Sequence, residues 1–271
     1  MMDELAQYNQ ERWDALAEAQ IIFSQPWLHL DRDSARKVLV EQQGVTTAVL
    51  NQIAGKEVLC LASGGGQQSA AFGLLGARVT VFDLSETQLQ RDREAAAHYG
   101  LTMRLIQGDM RDLSIFTANS FDFIWQPYSI NFVPDPRPVF REVARIIRPG
   151  GLYRLQFANP FVQAIEEEDW DGNGYPLNQP YVDGAEIIYA DTAWTLRRED
   201  GSSVKVEGPH EFRHALSVIL TELAARGFVL QGLWEDSDRT PPDPEAAPGT
   251  WEHFIAVAPP FLVLRAAYQP G

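Results

Sequence analysis

Between about residues 56 and 157, short apolar runs alternate with longer stretches of helical periodicity, and this alternation constrains the fold more than any other feature. Nearly continuous apolar runs are typical of parallel strands buried on both faces, and strand–helix repeats of this length form right-handed βαβ units. The predicted strands are 57–62, 78–84, 103–109, 121–126 and 151–158, and the predicted helices are 67–76, 85–99 and 136–147. With the later apolar runs 228–234 and 252–264, the pattern predicts an α/β fold with a doubly wound, mostly parallel seven-stranded sheet, Rossmann-like in type.

The flanking regions follow other patterns. Residues 1–55 have helical periodicity, and residues 159–209 interrupt the alternation with frequent glycine and proline. Helical periodicity returns in residues 211–226 and ends at Gly227. We therefore expect an N-terminal helical segment, then a sheet domain over 56–271 that carries an insertion at about 159–209 after its fifth strand.

Composition restricts the partners and the setting. The formal net charge is −15, from 22 basic and 37 acidic residues, so the chain would repel nucleic-acid phosphates and a nucleic-acid partner is not expected. No apolar run approaches the ~20 residues of a membrane span, and no signal peptide is apparent. The single cysteine, Cys60, excludes an internal disulfide, which predicts a cytoplasmic protein. Five scattered histidines predict no metal site. The oligomeric state is left open.

A glycine-rich loop follows the first predicted strand in VLCLASGGGQQS, residues 58–69. Three glycines allow a sharp turn and a close approach of the backbone to a ligand. The helix that follows would present free N–H groups and its positive dipole end to the same ligand. The loop is equally consistent with tight packing of a strand against a helix, so it does not by itself identify a nucleotide site.

An acidic residue, Asp83, ends the second predicted strand, 17 residues after Gly66. A carboxylate at this position can accept hydrogen bonds from both hydroxyls of a ribose. Alternatively, Asp83 starts a helix together with Ser85 and Glu86. The loop and Asp83 together favour a nucleotide-type cofactor, and they fit NAD as well as S-adenosylmethionine.

Three further segments distinguish these cofactors. QGDMRDL (107–113), FDFIWQPYSINFVPD (121–135) and REVARIIRPGGLYRLQF (141–157) resemble, in order and spacing, the corresponding segments of class I S-adenosylmethionine-dependent methyltransferases. The resemblance covers roughly residues 56–160. It implies S-adenosylmethionine as the cofactor and assigns its contacts by position: Ala62, Ser63, Gly64 and Gly66 at the methionine end, Asp83 and Leu84 at the ribose, Asp109 and Met110 at the adenine, and Gln126 on the sulfonium side.

Two positions depart from the family pattern. Cys60 stands where the family usually has an acidic residue that orients the amino group of the cofactor, so another residue must take that role. Ala62 stands where the first glycine is usual and adds only a methyl group. The retained glycines and Asp83 argue against a relative that has lost its cofactor.

Catalytic candidates are fewer. In WQPY (125–128), Trp125 and Gln126 replace the amide or acid and the first proline found in some amino-group methyltransferases, so amide or nucleobase N-methylation is not favoured. Tyr128 and Asn131 are expected either to face the reaction centre or to hold their loop. His214 is either a general base, if a hydroxyl is methylated, or a packed histidine.

The C-terminal half is loosely similar to the small-molecule branch of the family, near the ubiquinone and menaquinone methyltransferases. This resemblance implies methyl transfer to a small acceptor, with the methylated atom undetermined. Alternatives are an NAD-dependent oxidoreductase and a nonenzymatic subunit that binds S-adenosylmethionine. Tyr8 and Trp13 precede the first strand, and we expect them to belong to a lid over the cofactor; an ordinary helix packed on the sheet is the other reading.

Overall fold

The computed structural model describes residues 2–189, 193–197, 203–237 and 240–271. Within these residues there are nine strands: β1 (Glu57–Leu61), β2 (Arg78–Asp83), β3 (Met103–Gln107), β4 (Phe121–Gln126), β5 (Ile147–Ala158), β6 (Ala193–Arg197), β7 (Ser203–Glu207), β8 (Phe228–Asp236) and β9 (Phe261–Tyr268). Seven of them form one sheet in the order β3-β2-β1-β4-β5-β9-β8, while β6 and β7 form a separate antiparallel pair.

The described α-helices are α1 (Glu4–Glu18), α2 (Arg32–Glu41), α3 (Thr47–Leu50), α4 (Gln68–Leu74), α5 (Glu86–Tyr99), α6 (Arg137–Ile146), α7 (Leu216–Ala225) and α8 (Trp251–Val257). Local sequence sets several of their ends. The carboxylate of Asp3 accepts the Ala6 N–H and begins α1. Ser85 begins α5 in the same way, and Gly100 ends α5 in the left-handed conformation. No described helix is long and apolar enough to cross a membrane.

The directions of the strands confirm the predicted doubly wound sheet. Strands β1 to β5 are mutually parallel, whereas β9 is antiparallel to both of its neighbours. The chain builds outward from β1 through β2 to β3, then crosses back to place β4 on the other side of β1. This reversal opens a crevice at the carboxyl ends of β1 and β4, where open α/β sheets bind their ligands.

Both faces of the central strands are buried, as the apolar runs predict, whereas the edge strands β3 and β8 are partly exposed. In β1, Leu59 and Leu61 pack on one face with α6 and α7, and Val58 and Cys60 pack on the other with α2 and α4. Successive strand side chains point to opposite faces, so a strand that is covered on both sides has no polar alternation. The two cores hold the strand ends in fixed positions.

Three predicted elements are wrong in their bounds, and the first is the fifth strand, which begins at Ile147 and not at residue 151. The helix predicted at 211–226 begins only at Leu216, because residues 211–213 are extended and pair with residues 185–187. The carboxylate of Asp183 accepts the Ala215 N–H at 3.0 Å, just before the helix starts. The apolar run 252–264 is two elements, α8 and β9, because Pro259 and Pro260 separate them.

The chain between β5 and α7 contains a short 3-10 helix, Glu167–Asp169, and the β6–β7 pair. Residues 190–192 and 198–202 of the predicted insertion lie outside the described residues.

Candidate functional site

The glycine loop turns sharply at the carboxyl end of β1. Ala62 has a φ of +46°, and Gly65 and Gly66 have φ values of +122° and +71°. A Cβ at Gly64 would lie 2.6 Å from the Cβ of Gln88 and 3.1 Å from the carboxyl carbon of Asp83. The loop therefore requires glycine at position 64, and it brings its backbone against the end of β2.

Asp83 links this loop to β2. Its carboxylate accepts the N–H of Gly64 at 2.8 Å and the N–H of Ser85 at 2.9 Å. Ser85, rather than Asp83, caps α5, since its hydroxyl accepts the Gln88 N–H. Burial raises the pKa of Asp83 to about 6, although its two backbone hydrogen bonds act in the opposite direction. Asp83 is therefore not the cap of α5, and its carboxylate lies on the cavity wall.

A second carboxylate lies beneath the loop. Asp92 accepts the N–H of Gly65 at 3.0 Å and the hydroxyl of Ser69. Burial, and to a smaller extent the nearby Asp83, raise the pKa of Asp92 to about 7, although its hydrogen bonds from Ser69 and Gly65 act in the opposite direction. This residue anchors the loop from behind and is not a wall of the cavity.

The end of β3 supplies Asp109 and Met110. The guanidinium of Arg111 donates to the Asp109 carboxylate at 2.9 Å and to Asp3, at the start of α1, at 2.7 Å. These ion pairs raise the pKa of Arg111. Arg111 therefore joins the N-terminal helix to the edge of the sheet.

One cavity of about 380 Å³ connects these strand ends, a volume within the ~300–1,000 Å³ of small-molecule sites. Nine predicted site residues lie on its wall: Trp13, Ala62, Ser63, Gly64, Asp83, Leu84, Asp109, Met110 and Tyr128. The cavity thus spans the carboxyl ends of β1 to β4.

The N-terminal helix covers one side of the cavity. Leu5, Asn9 and Trp13 of α1 contribute to the wall, and the Trp13 ring lies 5.2 Å from the ring of Phe132 and 5.8 Å from that of Trp194. The segment that follows α1 is tied to the glycine loop, since the Trp27 N–H donates to the Gly66 carbonyl at 3.1 Å.

A buried polar group lies on the wall beyond β4. The Glu211 carboxylate accepts the hydroxyl of Tyr128 at 2.7 Å and that of Tyr189 at 3.1 Å. Around them the wall is aromatic, and the Tyr128 ring packs edge-on against Phe132 and Phe261 at 5.6 Å and 5.3 Å. Burial raises the pKa of Glu211, and hydrogen bonds from the phenols oppose the effect.

Two predicted cofactor contacts lie off the wall. Gly66 faces away from the cavity, because a Cβ there would lie 2.5 Å from the Arg91 carbonyl oxygen. Gln126 is fully buried and binds inward: its Oε1 accepts the Tyr153 hydroxyl at 2.5 Å, and its Nε2 donates to the Ser129 hydroxyl at 3.0 Å. The expectation that Gln126 faces the sulfonium is corrected, because these hydrogen bonds hold its amide in the interior.

Three other predicted residues also lie outside the wall. Asn131 is structural: it donates to the Phe212 carbonyl at 2.9 Å and accepts the Ala158 N–H at 3.0 Å. His214 is buried, with its Nε2 3.0 Å from the Ile130 carbonyl oxygen, and burial lowers its pKa. The Tyr8 ring packs 4.4 Å from that of His210. For Asn131, these contacts fit the alternative that it holds its loop. For His214, they fit the alternative of a packed histidine.

A histidine pattern that the prediction overlooked stands at residues 210–214, HEFRH. HExxH binds zinc when a helix places both histidines on one face. Here the segment is extended and precedes α7. His210 contacts Glu186, His214 contacts the Ile130 carbonyl, and no group of three metal-binding side chains occurs among the described residues.

Sequence reasoning also missed several wall residues, among them Gln156, Trp194, Glu211 and Phe261. No local pattern marks them. Glu211 sits in a stretch predicted to be helical, where a glutamate is an ordinary exposed residue. Only the pairing of residues 185–187 with 211–213 turns its side chain toward Tyr128.

The wall fits S-adenosylmethionine in three parts. The glycine loop brings its backbone close to the cavity, the carboxylate of Asp83 lies at the end of β2, and Asp109 and Met110 follow the end of β3, as the resemblance implies. The antiparallel β9 between β5 and β8 also differs from the six-stranded dinucleotide-binding order. Sheet and site together define a class I S-adenosylmethionine-dependent methyltransferase.

Comparisons with known proteins agree. A family model described as a methyltransferase domain matches residues 59–155. The chain is 37% identical over 186 residues to a Bacillus subtilis protein named uncharacterized methyltransferase YbaJ, a match that covers 68% of this chain and 70% of that protein. It is 32% identical over 121 residues to a demethylmenaquinone methyltransferase of Clavibacter sepedonicus, covering 44% of this chain and about half (49%) of that protein.

Among solved structures, an S-adenosylmethionine-dependent methyltransferase from Clostridium acetobutylicum superposes with a TM-score of 0.59 at 16% identity, covering 95% of this chain and 96% of that one. This likeness shows the shared fold. The chain belongs to the class I S-adenosylmethionine-dependent methyltransferases, and it is an enzyme with S-adenosylmethionine as its cofactor. The NAD-dependent and nonenzymatic alternatives therefore do not hold.

Proposed function

We propose that the enzyme methylates a small, largely apolar molecule that binds beside the cofactor in the same cavity. The observation that carries this proposal is that a single cavity has both the predicted cofactor contacts and a group of aromatic rings on its wall. The strand-end residues that suit S-adenosylmethionine and the rings of Trp13, Tyr128, Phe132 and Phe261 line one cavity. Apolar walls with a few polar groups are typical of small-molecule sites.

S-adenosylmethionine, when bound, supplies the methyl group as an electrophile. The chain's task is then to bind both molecules, align the acceptor with the methyl carbon and exclude water. We assign cofactor binding to Ala62, Ser63, Gly64, Asp83, Leu84, Asp109 and Met110, the predicted contacts that lie on the wall.

Charge supports a small acceptor over a nucleic acid. The formal net charge of −15 opposes association with phosphate backbones. One relative carries the name demethylmenaquinone methyltransferase, which is consistent with a small apolar acceptor here.

We further propose that the N-terminal segment, residues 1–55, acts as a removable cover and that the insertion at about 159–209 completes the acceptor side. Trp13 supports the first point, and Tyr189 and Trp194 support the second, since all three lie on the wall. The Asp3–Arg111 ion pair would hold the cover closed.

The test is an assay with tritiated-methyl S-adenosylmethionine and extracted metabolite pools. We expect label in compounds of low molecular mass, and much less with Asp83→Ala. Label confined to protein or nucleic acid, or no transfer at all from folded enzyme that binds the cofactor, would refute the proposed acceptor class.

A further inference from the structure

Glu211 is an acid in an otherwise apolar part of the cavity. It lies on the wall but is only 7% exposed, and aromatic rings surround it. Both phenol hydroxyls, from Tyr128 and Tyr189, donate to the same oxygen, Oε2. The side chain of Gln163 also lies close enough to the carboxylate to lower its pKa, and neither phenol donates to Oε1.

The backbone around Glu211 is held firmly. The Glu211 carbonyl accepts the Ile187 N–H at 2.8 Å, and the Phe212 N–H donates to the Asn131 carbonyl at 2.7 Å. Asn131 also binds Phe212 and Ala158 through its side chain. The carboxylate is therefore fixed relative to the ends of β4 and β5, which is the preorganisation that a reacting group requires.

No cation compensates this carboxylate within the part of the chain that the structure describes. Arg213, two residues away, donates instead to the carbonyls of Gln163 and Pro180. A carboxylate buried without a cation costs stability, and burial accordingly raises its pKa. Groups of this kind concentrate at functional sites, where a ligand completes their environment.

We propose that Glu211 accepts a hydrogen bond from a hydroxyl group on an aromatic acceptor and takes up its proton during methyl transfer. This inference rests on the proposed function and narrows it to O-methylation. The aromatic part of the acceptor is inferred from the rings of Tyr128, Phe132 and Phe261, which offer stacked and edge-on contacts.

A hydroxyl fits this site better than an amine. An amine beside a buried carboxylate would be stabilised as its ammonium ion, which has no lone pair to attack with. A hydroxyl is neutral on entry and becomes a good nucleophile as its proton leaves. Burial raises the pKa of the Glu211 carboxyl and so makes it a better proton acceptor than an exposed glutamate, while the two phenols hold it in place.

The step balances as follows. The acceptor O–H bond breaks, and its proton goes to Oε1 of Glu211. An electron pair of the acceptor oxygen forms the new O–CH₃ bond, while the pair of the carbon–sulfur bond stays with sulfur, leaving S-adenosylhomocysteine. The proton passes to solvent when the products leave. Tyr128 and Tyr189 are positioning residues, since they orient the carboxylate.

The first test measures binding to enzyme saturated with S-adenosylhomocysteine. Calorimetry compares 2-naphthol with 2-methoxynaphthalene, which has the same ring system but no hydroxyl hydrogen. We expect 2-naphthol to bind at least about tenfold more tightly to the wild type. Glu211→Gln should reduce that preference at least about fivefold, because it replaces a charge-assisted hydrogen bond with a neutral one.

The matched control is Glu186→Gln, which changes a neighbouring carboxyl that faces His210 and lies off the cavity wall. It should keep the full preference. Equal affinity of the wild type for both ligands, no binding of 2-naphthol, or an undiminished preference in Glu211→Gln would overturn the inference. If Glu211→Gln fails to bind S-adenosylhomocysteine, the comparison of the two ligands on wild-type enzyme decides alone.

The second test measures methyl transfer to 2-naphthol with tritiated-methyl S-adenosylmethionine. Glu211→Gln should lower kcat about 100-fold or more, while Glu186→Gln and the affinity for cofactor stay within about twofold of wild type. Transfer by Glu211→Gln within about threefold of wild type would exclude Glu211 as the base.

The two proposals fail differently. If small molecules in the metabolite pools are labelled at nitrogen or carbon, and the enzyme binds 2-naphthol no more tightly than 2-methoxynaphthalene, the hydroxyl assignment fails and the proposed function stands. If no small molecule is ever labelled, the proposed function itself fails.

Discussion

The substitution Asp83→Asn separates a cofactor contact from a structural role at the start of α5. It keeps the size of the side chain but removes its charge and one of its two acceptor positions. In the structure those positions receive the N–H groups of Gly64 and Ser85, at 2.8 and 2.9 Å. For folding, the substitution loses an accepted hydrogen bond, which lowers stability, and removes a buried charge, which raises it.

The pKa of Asp83 rises from 3.8 to about 6 on folding, because the carboxyl is buried. At 1.36 kcal/mol per pKa unit, the ionised group costs about 3 kcal/mol of stability at pH 8. Losing one accepted backbone hydrogen bond costs about 1–3 kcal/mol. The two nearly cancel, so the free energy of unfolding without ligand should change by less than about 2 kcal/mol.

Cofactor binding has no such compensation. Losing a charge-assisted pair of hydrogen bonds to the ribose hydroxyls should weaken S-adenosylmethionine binding by about 1.5–3 kcal/mol, or about 10- to 150-fold. Calorimetry gives the affinity and denaturant unfolding at pH 8 gives the stability.

The control is Asp112→Asn, at an exposed aspartate near the end of β3 that lies off the cavity wall. It should leave the affinity unchanged. If Asp83→Asn binds the cofactor within about twofold of wild type while its stability falls, Asp83 is a structural residue and the reasoning is refuted.

Three further predictions concern the residues around the cavity. The pKa of Asp92 is about 7 in the folded protein against 3.8 unfolded, so the carboxyl lowers the free energy of unfolding as the pH rises between these values. In urea unfolding, the wild type should lose about 2–3 kcal/mol more stability than Asp92→Asn between pH 5 and pH 8. Equal losses would contradict the raised pKa. Arg111→Ala removes the link between Asp3 and Asp109, so chymotryptic cleavage within residues 10–30 should become faster. In the wild type, added S-adenosylmethionine should slow the same cleavage. A cleavage rate that changes neither with the substitution nor with the cofactor would contradict the proposed cover. His214→Ala should keep kcat within about threefold of wild type but lower the free energy of unfolding by about 1–3 kcal/mol, because the Ile130 carbonyl loses its partner. A loss of about 100-fold in kcat would instead identify His214 as a general base.

Local pattern was sufficient for the sheet and its cofactor edge. Strands that are buried on both faces have continuous apolar runs, so β1, β2 and β4 could be located to within one residue. Their order along the chain then predicts which ends meet. The glycine loop, Asp83 and Asp109 consequently lie on one wall, as their positions after β1, β2 and β3 require.

Local pattern was insufficient where orientation matters. Gln126 ends β4 as predicted, but whether its amide faces a ligand or Tyr153 depends on packing behind the strand. His214 stands in a helical pattern, yet the pairing of its neighbours with residues 185–187 keeps the chain extended and buries the imidazole. The same pairing separates the two histidines of HEFRH.

The sequence by itself determined the class of fold, the family and the cofactor, because these depend on periodicity and on short motifs at fixed spacing. Only the tertiary structure decided which residues face the acceptor. Glu211 meets Tyr128 across 83 positions of sequence, and Arg111 meets Asp3 across 108. Contacts of this kind have no local signature, because they are set by how the segments outside the sheet pack over the carboxyl ends of its strands.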